Sequence, residues 1–189
     1  MSAGHFVRPR HTQQRGDPAR ALEAADRILE GGLRIGGQEQ MYLEGQVSLC
    51  VPDEDGGMLV YSSTQNPTEG QKLVVDVLGI DMHRVVFDTR RMGGAFGGKE
   101  THANQWACLA ALLAHRTGRA VKLRLSRAED LRATGKRHHF LTRYRVGFSD
   151  AGDLAGLDLT LAGGCGMSPD LSDAIVDRAM FHADNAYFV

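Results

Sequence analysis

The stretch that most constrains the fold of this chain is Arg91-Met92-Gly93-Gly94-Ala95-Phe96-Gly97-Gly98-Lys99-Glu100. Four glycines lie within six positions and surround one large aromatic side chain, that of Phe96. Glycine permits positive φ and a close approach of the main chain to another group, at a cost in chain entropy. The stretch, called the glycine loop below, therefore predicts a segment that folds against a ligand.

The residues on either side of the glycine loop indicate a turn between a strand and a helix. Residues 84–89 have the apolar character of a strand, and residues 101–115 are rich in alanine with helical periodicity. Main-chain amides at the start of a helix bind anions and cofactors. Glu100 is expected in the first turn of this helix, where the helix dipole favours a negative charge.

The beginning of the chain predicts an extended segment followed by a helix. Residues 1–16 are polar and show no periodicity, so they are interpreted as an N-terminal arm or the remnant of a linker. Asp17-Pro18 is typical of a helix start, because aspartate caps the first turn and proline suits its first position. A helix is predicted over 18–30, with Gly31-Gly32 as its stop signal.

A hairpin and a second helix are predicted before the glycine loop. Apolar residues alternate over 47–51, and an acidic, glycine-containing turn separates them from the apolar run 58–61. Asn66-Pro67-Thr68-Glu69 then has the pattern of a capped helix start. This places Gln65 at a corner between a strand and a helix.

The residues after the glycine loop complete the predicted fold class, which is α+β with mixed or antiparallel sheets and packed helices. The patterns predict a strand over 121–125, a short helix capped by Ser126, a long hairpin over 140–161 and a helix over 168–180. Tyr187-Phe188-Val189 are apolar and carry no stop signal. We therefore expect residues 17–189 to be a C-terminally truncated part of one larger region.

The composition argues against several classes of partner. The chain of 189 residues has 22 basic and 23 acidic side chains, a formal charge of −1, and no basic face that would favour nucleic acid or an anionic membrane. No apolar run approaches the ~18 residues of a membrane span, and the first residues lack the apolar core of a signal peptide. Cys50, Cys108 and Cys165 lie too far apart for a disulfide framework or an iron–sulfur motif. These features predict a cytoplasmic setting.

The spacing of the glycine loop also matches that of a phosphate-binding P-loop, so a nucleotide site is an alternative interpretation. Gly93-x-x-x-x-Gly98-Lys99 fits that spacing, but Glu100 stands where a P-loop needs a serine or threonine hydroxyl for magnesium. A carboxylate there would repel a polyphosphate. A glycine-rich turn that only packs a helix against a sheet remains an alternative. His138-His139 has no further ligand at zinc spacing and predicts no metal site.

Four separated motifs together resemble the molybdenum hydroxylases. They are Gly36-Gly37-Gln38-Glu39-Gln40-Met41-Tyr42-Leu43-Glu44, Ser62-Ser63-Thr64-Gln65-Asn66, the glycine loop, and Asp177-Arg178-Ala179-Met180-Phe181-His182-Ala183-Asp184-Asn185. The resemblance extends from about residue 17 to the last residue. Within this family, the chain resembles the molybdopterin-binding large subunits of bacterial xanthine dehydrogenases.

The resemblance implies a molybdenum centre held by a pterin dithiolene, with no direct protein ligand to the metal. By position, Gln65 matches the glutamine that donates a hydrogen bond to the oxo group of molybdenum. Phe96 and Gly97 match loop residues beside this molybdopterin cofactor, where the phenylalanine excludes water and the glycine exposes main-chain amides. Ala95 replaces a glycine that is usual in the family, which is a mild change if its φ is negative and a distortion if it is positive.

The same resemblance implies a purine substrate. Glu100 and Arg178 match a charged pair that holds the purine, whereas related aldehyde-oxidising enzymes carry apolar residues at both places. The expected activity of the intact enzyme is hydroxylation of hypoxanthine and xanthine to xanthine and urate. Electrons would pass through 2Fe-2S clusters and FAD, on other domains or a small subunit of a hetero-oligomer, to NAD.

Three further expectations follow from the resemblance. The glutamate that acts as general base and the aromatic residues that sandwich the purine are expected beyond residue 189, so this chain alone should be inactive. An aldehyde oxidase-type hydroxylase is the first alternative. The second is a non-catalytic module that binds a nucleotide or a partner chain but no molybdenum cofactor.

Overall fold

The computed structural model describes residues 5–187, which belong to two compact units. The first unit comprises Met1–Gly37 and His138–Val189, and the second comprises Gln38–Arg137. The predicted apolar chain end includes Phe188 and Val189, which lie outside the described residues. The described elements, in chain order, are α1 (Pro18–Glu23), β1 (Arg27–Ile35), β2 (Val47–Pro52), β3 (Met58–Ser62), α2 (Pro67–Leu78), a 3₁₀ turn (Met82–Arg84), β4 (Val85–Asp88), α3 (His102–Thr117), β5 (Val121–Arg124), α4 (Arg127–Ala133), β6 (His139–Phe148), β7 (Leu154–Gly164) and α5 (Ser172–Phe181).

The second unit is built on a four-stranded mixed sheet in the order β4-β3-β2-β5. Strand β2 pairs antiparallel with β3 and β5, while β3 pairs parallel with β4. Helices α2 and α3 pack against each other, and α3 lies against β2. The predicted α+β class with mixed sheets and packed helices is confirmed.

The core of the second unit depends on small side chains from α3. Four alanines of that helix are fully buried, and they face apolar side chains of the sheet and of α2. Alanine allows a helix axis to approach a sheet closely without a loss of helix propensity. The alanines are Ala107, Ala110, Ala111 and Ala114, and the facing residues include Cys50, Met58, Val60, Val74 and Val85.

Two predicted helix caps form as the sequence indicates. The Asn66 side chain accepts a hydrogen bond from the Glu69 amide at 3.2 Å. At α4 the capping box is complete, because the Ser126 hydroxyl accepts from the Glu129 amide at 3.3 Å and the Glu129 carboxylate accepts from the Ser126 amide at 2.8 Å. Both caps are decided by residues three positions apart, which is why the sequence predicts them well.

The first unit contains a three-stranded antiparallel sheet in the order β1-β6-β7. The predicted hairpin over 140–161 is confirmed as β6 and β7. The predicted helix over 168–180 is confirmed as α5, although its first turn begins at Ser172, whose amide donates to the Pro169 carbonyl at 2.7 Å. Residues 5–16 contain no helix or strand, and Arg8 lies 2.5 Å from a carboxylate oxygen of Asp177.

The predicted helix over 18–30 is wrong beyond its first turns. Helix α1 ends at Glu23, and Arg27–Ile35 instead forms β1, paired along its whole length with β6. Gly31-Gly32 is therefore not a helix stop. A Cβ atom on Gly31 would lie 2.4 Å from the Tyr144 hydroxyl oxygen, so the glycine allows Tyr144 to lie over the strand. Strand pairing overrides the local helix signal here, since helix propensity is a weak determinant.

None of the helices within residues 5–187 has both the length and the apolar character needed to cross a membrane.

Candidate functional site

The glycine loop connects β4 to α3, and its main chain adopts left-handed conformations at three positions. The φ angles are +91° at Gly94, +55° at Phe96 and +88° at Gly97. Glycine adopts such angles freely, whereas a phenylalanine in this region is strained and persists only where surrounding contacts fix the chain. The Phe96 side chain is 65% exposed. The loop therefore presents an aromatic ring to the surface on a constrained backbone.

The underside of the glycine loop packs against the motif that ends at Glu44. A Cβ atom on Gly98 would lie 2.6 Å from the Tyr42 ring, and one on Gly93 would lie 2.6 Å from the Glu44 Cβ atom. Real Cβ atoms do not approach other heavy atoms so closely. Two of the glycines are thus required for contact with the interior, whereas an added Cβ on Gly97 would meet no heavy atom within 4 Å.

Ala95 fits the loop without distortion. It is buried, and its φ is not positive. The departure from the usual family glycine is therefore the mild one of the two expected outcomes, because an L-residue is unstrained outside the left-handed region.

Gln65 lies at the corner between β3 and α2, as predicted, and its side chain is held by the glycine loop. Its carboxamide oxygen accepts hydrogen bonds from the main-chain amides of Gly97 at 3.0 Å and Lys99 at 3.3 Å. These two donors determine which side-chain atom is the oxygen. The Gln65 Nε2 group consequently points away from the loop amides, is part of an exposed side chain and has no hydrogen-bond partner among residues 5–187. It is a neutral donor available to an acceptor oxygen.

Lys99 faces the interior rather than a ligand. Its side chain is 0% exposed, and its ammonium nitrogen lies 3.1 Å from a Glu44 carboxylate oxygen and 2.8 Å from the Ser63 hydroxyl oxygen. A P-loop lysine must reach the phosphates, and the loop amides must be free to bind them. Here the amides of Gly97 and Lys99 are already bound to Gln65, so the P-loop interpretation fails on geometry.

Lys99 and Glu44 both have lowered pKa values, for different reasons. Burial lowers the pKa of Lys99, and the Glu44 carboxylate opposes that shift. Partial burial would raise the pKa of Glu44, but hydrogen bonds from Ser63, the Gly93 amide and Lys99 outweigh it and hold the pKa below its ordinary value. The Glu44 carboxylate is thus stabilised in its charged form by three hydrogen-bond donors.

A buried polar network lies below the loop and was not predicted from the sequence. The Tyr42 hydroxyl donates to Asp130 at 2.5 Å and accepts from the Gln46 Nε2 group at 3.0 Å, and the same Nε2 group donates to the Gly98 carbonyl at 2.9 Å. Burial, followed by the hydrogen bond to Asp130, raises the pKa of Tyr42 to about 12. Tyr42 belongs to one of the motifs that carry the family resemblance, but residue spacing gives no signal that Asp130 lies beneath it.

Glu100 is exposed and lies outside helix α3. The helix begins at His102 with Thr101 as its N-cap, and its first turn contains no acidic residue. The expectation that Glu100 occupies the first helical turn is therefore wrong. The Lys99 main chain stays bound to Gln65, and the helix begins three residues later, at His102.

Arg178 lies on α5 in the first unit and is exposed. Three acidic residues near it in sequence pair with other arginines: Asp173 and Asp177 with Arg8, and Asp184 with Arg15. Within the described part of the chain, Arg178 has no ion-pair partner. Its predicted pairing with Glu100 across a substrate stays a prediction, since the two residues belong to different units.

A metal bound directly by side chains is not indicated by the geometry. Across residues 5–187 no group of three or more His, Cys, Asp or Glu side chains could hold a metal ion.

A family model described as the molybdopterin cofactor-binding domain matches residues 3–189. The chain belongs to this family. It is 44% identical over 179 residues to the xanthine dehydrogenase of Calliphora vicina, covering 95% of this chain and 13% of that protein. It is 47% identical over 165 residues to the xanthine dehydrogenase of Oryza sativa subsp. japonica, covering 87% of this chain and 12% of that protein. The chain thus spans only a small part of the length of the curated relatives it matches.

Solved structures of molybdenum hydroxylases share the fold. The aldehyde oxidoreductase of Desulfovibrio gigas superposes with a TM-score of 0.77 at 24% identity, over 86% of this chain and 18% of that one. The quinoline 2-oxidoreductase of Pseudomonas putida 86 superposes with a TM-score of 0.70 at 19% identity, over 78% of this chain and 19% of that one. The predicted assignment of this fold to part of a molybdenum-cofactor-binding region is confirmed.

Proposed function

We propose that this chain forms one side of the molybdenum–pterin site of a purine-hydroxylating enzyme of the xanthine dehydrogenase type. The observation that carries the proposal is the orientation of Gln65. Two loop amides hold its carboxamide oxygen, which leaves the Nε2 donor at the surface beside Gly97. The identity of 44% with a xanthine dehydrogenase supports the type of enzyme.

The residues present fit the cofactor. Gln65 offers a hydrogen-bond donor without adding charge, which suits an oxygen of the cofactor that must not be protonated. Gly97 is exposed and has open space where a side chain would be, so a bulky group can approach the main chain there. Phe96 precedes Gly97 in the chain, and its exposed ring would exclude water. When bound, the cofactor supplies the two-electron oxidant for hydroxylation of a ring carbon.

Glu100 and Arg178 are proposed to bind the purine. A purine that is being hydroxylated gains negative charge on its ring nitrogens and exocyclic oxygens, and a fixed guanidinium stabilises that charge. A carboxyl group can donate or accept a proton at a ring nitrogen. Both side chains are exposed and have no hydrogen-bond or ion-pair partner in the part of the chain that the structure describes. Their charges are therefore available to a substrate.

The remaining parts of the reaction are proposed to come from outside this chain. The general base, the 2Fe-2S clusters and the FAD that passes electrons to NAD would belong to other domains or to a small subunit of a hetero-oligomer in the cytoplasm. On its own, this chain would not turn over hypoxanthine or xanthine.

Replacing Arg178 with methionine in the intact enzyme tests the purine assignment. The variant removes the charge but keeps most of the side-chain volume. Loss of one transition-state donor should lower kcat/KM for xanthine by roughly 100-fold or more. Turnover of an aromatic aldehyde should change by less than about threefold, because the aldehyde carries no ring nitrogen for the guanidinium to stabilise. Steady-state kinetics with both substrates gives the comparison.

Arg20→Met is the matched control, since Arg20 is also an exposed helical arginine of the first unit. It should leave both substrates unaffected. Equal losses for purine and aldehyde in Arg178→Met would refute the purine assignment and favour the aldehyde oxidase-type alternative. Absence of molybdenum from the purified intact protein, measured by elemental analysis, would favour the non-catalytic module.

A further inference from the structure

We infer that Lys99 is the positioning residue that sets the direction of the Gln65 carboxamide. The inference rests on the proposed role of Gln65 at the cofactor. Lys99 touches neither substrate nor cofactor in this scheme, because its side chain is fully buried. Its effect on the reaction would pass through the main chain of the glycine loop to Gln65.

The main chain of Lys99 binds both the main chain and the side chain of Gln65. The Lys99 carbonyl accepts hydrogen bonds from the Gln65 amide and from the Thr64 hydroxyl, each at 2.9 Å. The Lys99 amide donates to the Gln65 side-chain oxygen at 3.3 Å. One residue of the loop therefore holds the backbone of Gln65 and also orients its side chain.

The side chain of Lys99 fixes the loop itself. Its ammonium group binds Glu44 and also Ser63, which lies two residues before Gln65. The same Glu44 oxygen accepts from the Gly93 amide at 3.1 Å and from the Ser63 hydroxyl at 2.5 Å. The ammonium group thus ties the second half of the loop, through Glu44 and Ser63, to the first half of the loop and to the end of β3.

The burial of the Lys99 charge is poorly explained by stability alone. The ammonium group loses its hydration, although the Glu44 side chain remains 40% exposed, and a well-packed apolar side chain of similar volume is often as stabilising. What an ammonium group provides, and an apolar chain lacks, is a directional contact with two oxygen atoms. Such a contact prevents the loop from sliding relative to Gln65. A side chain as exposed and flexible as that of Gln65 would otherwise lose its single orientation.

The test uses the intact enzyme with Lys99→Met, Gln65→Ala and the double variant. Hydrogen exchange of the main-chain amides at positions 97 and 99 is the first readout, because it does not depend on activity. In both single variants these amides should exchange about tenfold faster or more, since each loses its acceptor or its fixed geometry. Exposed Lys72→Met on α2 is the matched control and should leave their exchange unchanged.

The second readout is kcat for xanthine, corrected for molybdenum content. Lys99→Met should lower kcat by about tenfold or more with KM within about threefold, because a small misplacement of a catalytic donor is costly. In the Gln65→Ala background the same substitution should have almost no further effect, since residues that act through one another are not additive.

The outcomes separate this inference from the proposed function. If the losses of Lys99→Met and Gln65→Ala multiply in the double variant, Lys99 acts by general destabilisation and the inference is overturned. Unchanged exchange at positions 97 and 99 in Lys99→Met would overturn it as well. If Gln65→Ala leaves kcat unaltered, the proposed role of Gln65 fails, and hydrogen exchange still decides whether Lys99 orients it.

Ser63→Ala covers the case in which Lys99→Met does not accumulate. It removes the contact between the ammonium group and the end of β3, but it keeps the ion pair with Glu44. The inference predicts faster exchange at position 97 and a lower kcat that again depends on the presence of Gln65. Wild-type exchange and wild-type kcat in Ser63→Ala would contradict it.

Discussion

Replacing Tyr42 with phenylalanine should destabilise the second unit by about 3 kcal/mol. The hydroxyl donates to a buried carboxylate oxygen of Asp130 at 2.5 Å and accepts from Gln46 at 3.0 Å. A hydrogen bond to a charged group contributes about 1.5–3 kcal/mol, and a buried polar group left without its partner costs about 1–3 kcal/mol. Thr134 limits the loss, because its hydroxyl lies 3.3 Å from the same Asp130 oxygen.

Native-state hydrogen exchange of the intact protein measures this change. Amides of β2 and α3 that exchange only through opening of the second unit should exchange about 100-fold faster in Tyr42→Phe, since 1.4 kcal/mol corresponds to tenfold. Tyr61→Phe is the matched control. Among residues 5–187, its hydroxyl accepts a hydrogen bond from the exposed Arg90 at 3.3 Å, so exchange should change by less than about threefold. A shift below tenfold in Tyr42→Phe would refute the reasoning.

The difference in stability between the wild type and Tyr42→Phe should depend on pH. The pKa of Tyr42 is raised from 10.0 to about 12 by burial and by its bond to Asp130. A group whose pKa is higher in the folded state contributes stability that is complete below pH 10 and is lost as pH rises toward 12. The unfolding free energy of the wild type should therefore fall more steeply than that of Tyr42→Phe over this range. Parallel pH profiles would contradict the assigned burial.

Two further predictions concern small side chains. Gly31→Ala should destabilise the first unit by roughly 1–3 kcal/mol, because its Cβ atom would lie 2.4 Å from the Tyr144 hydroxyl oxygen. Urea-dependent proteolysis measures this loss of stability. In the control Gly36→Ala the added Cβ atom meets no atom within 4 Å and stability should not change, so equal losses in the two variants would contradict the clash. Ala95→Gly should cost at most about 1 kcal/mol and leave molybdenum content unchanged, because Ala95 does not need a left-handed backbone; loss of molybdenum would show that the methyl group matters.

Local signals predicted the parts of the fold that depend on neighbours in sequence. The caps at Asn66 and Ser126 and the hairpin of β6 and β7 are each decided by residues a few positions apart. The strand β1 was missed because Gly31 is explained by Tyr144 of β6, a strand that is distant in sequence but pairs with β1. Single-sequence patterns carry no information about that pairing.

The residues of the candidate site were predicted from the sequence, but their contacts were not. The family resemblance selected Gln65, Phe96, Gly97, Glu100 and Arg178, and the structure holds the first three together through direct contact or chain adjacency. It also shows how Gln65 is oriented, which no motif states. The inward direction of Lys99 could not be read from its spacing, because Glu44 and Ser63 reach it only after folding.

Adjacent residues at the end of the glycine loop point in opposite directions. Lys99 is fully buried, while Glu100 is exposed. Substitution at position 100 therefore changes the chemistry of the surface without altering the contacts that orient Gln65. In the proposed site, a change of residue at position 100 would alter the group that meets the substrate and would require no compensating change in the interior.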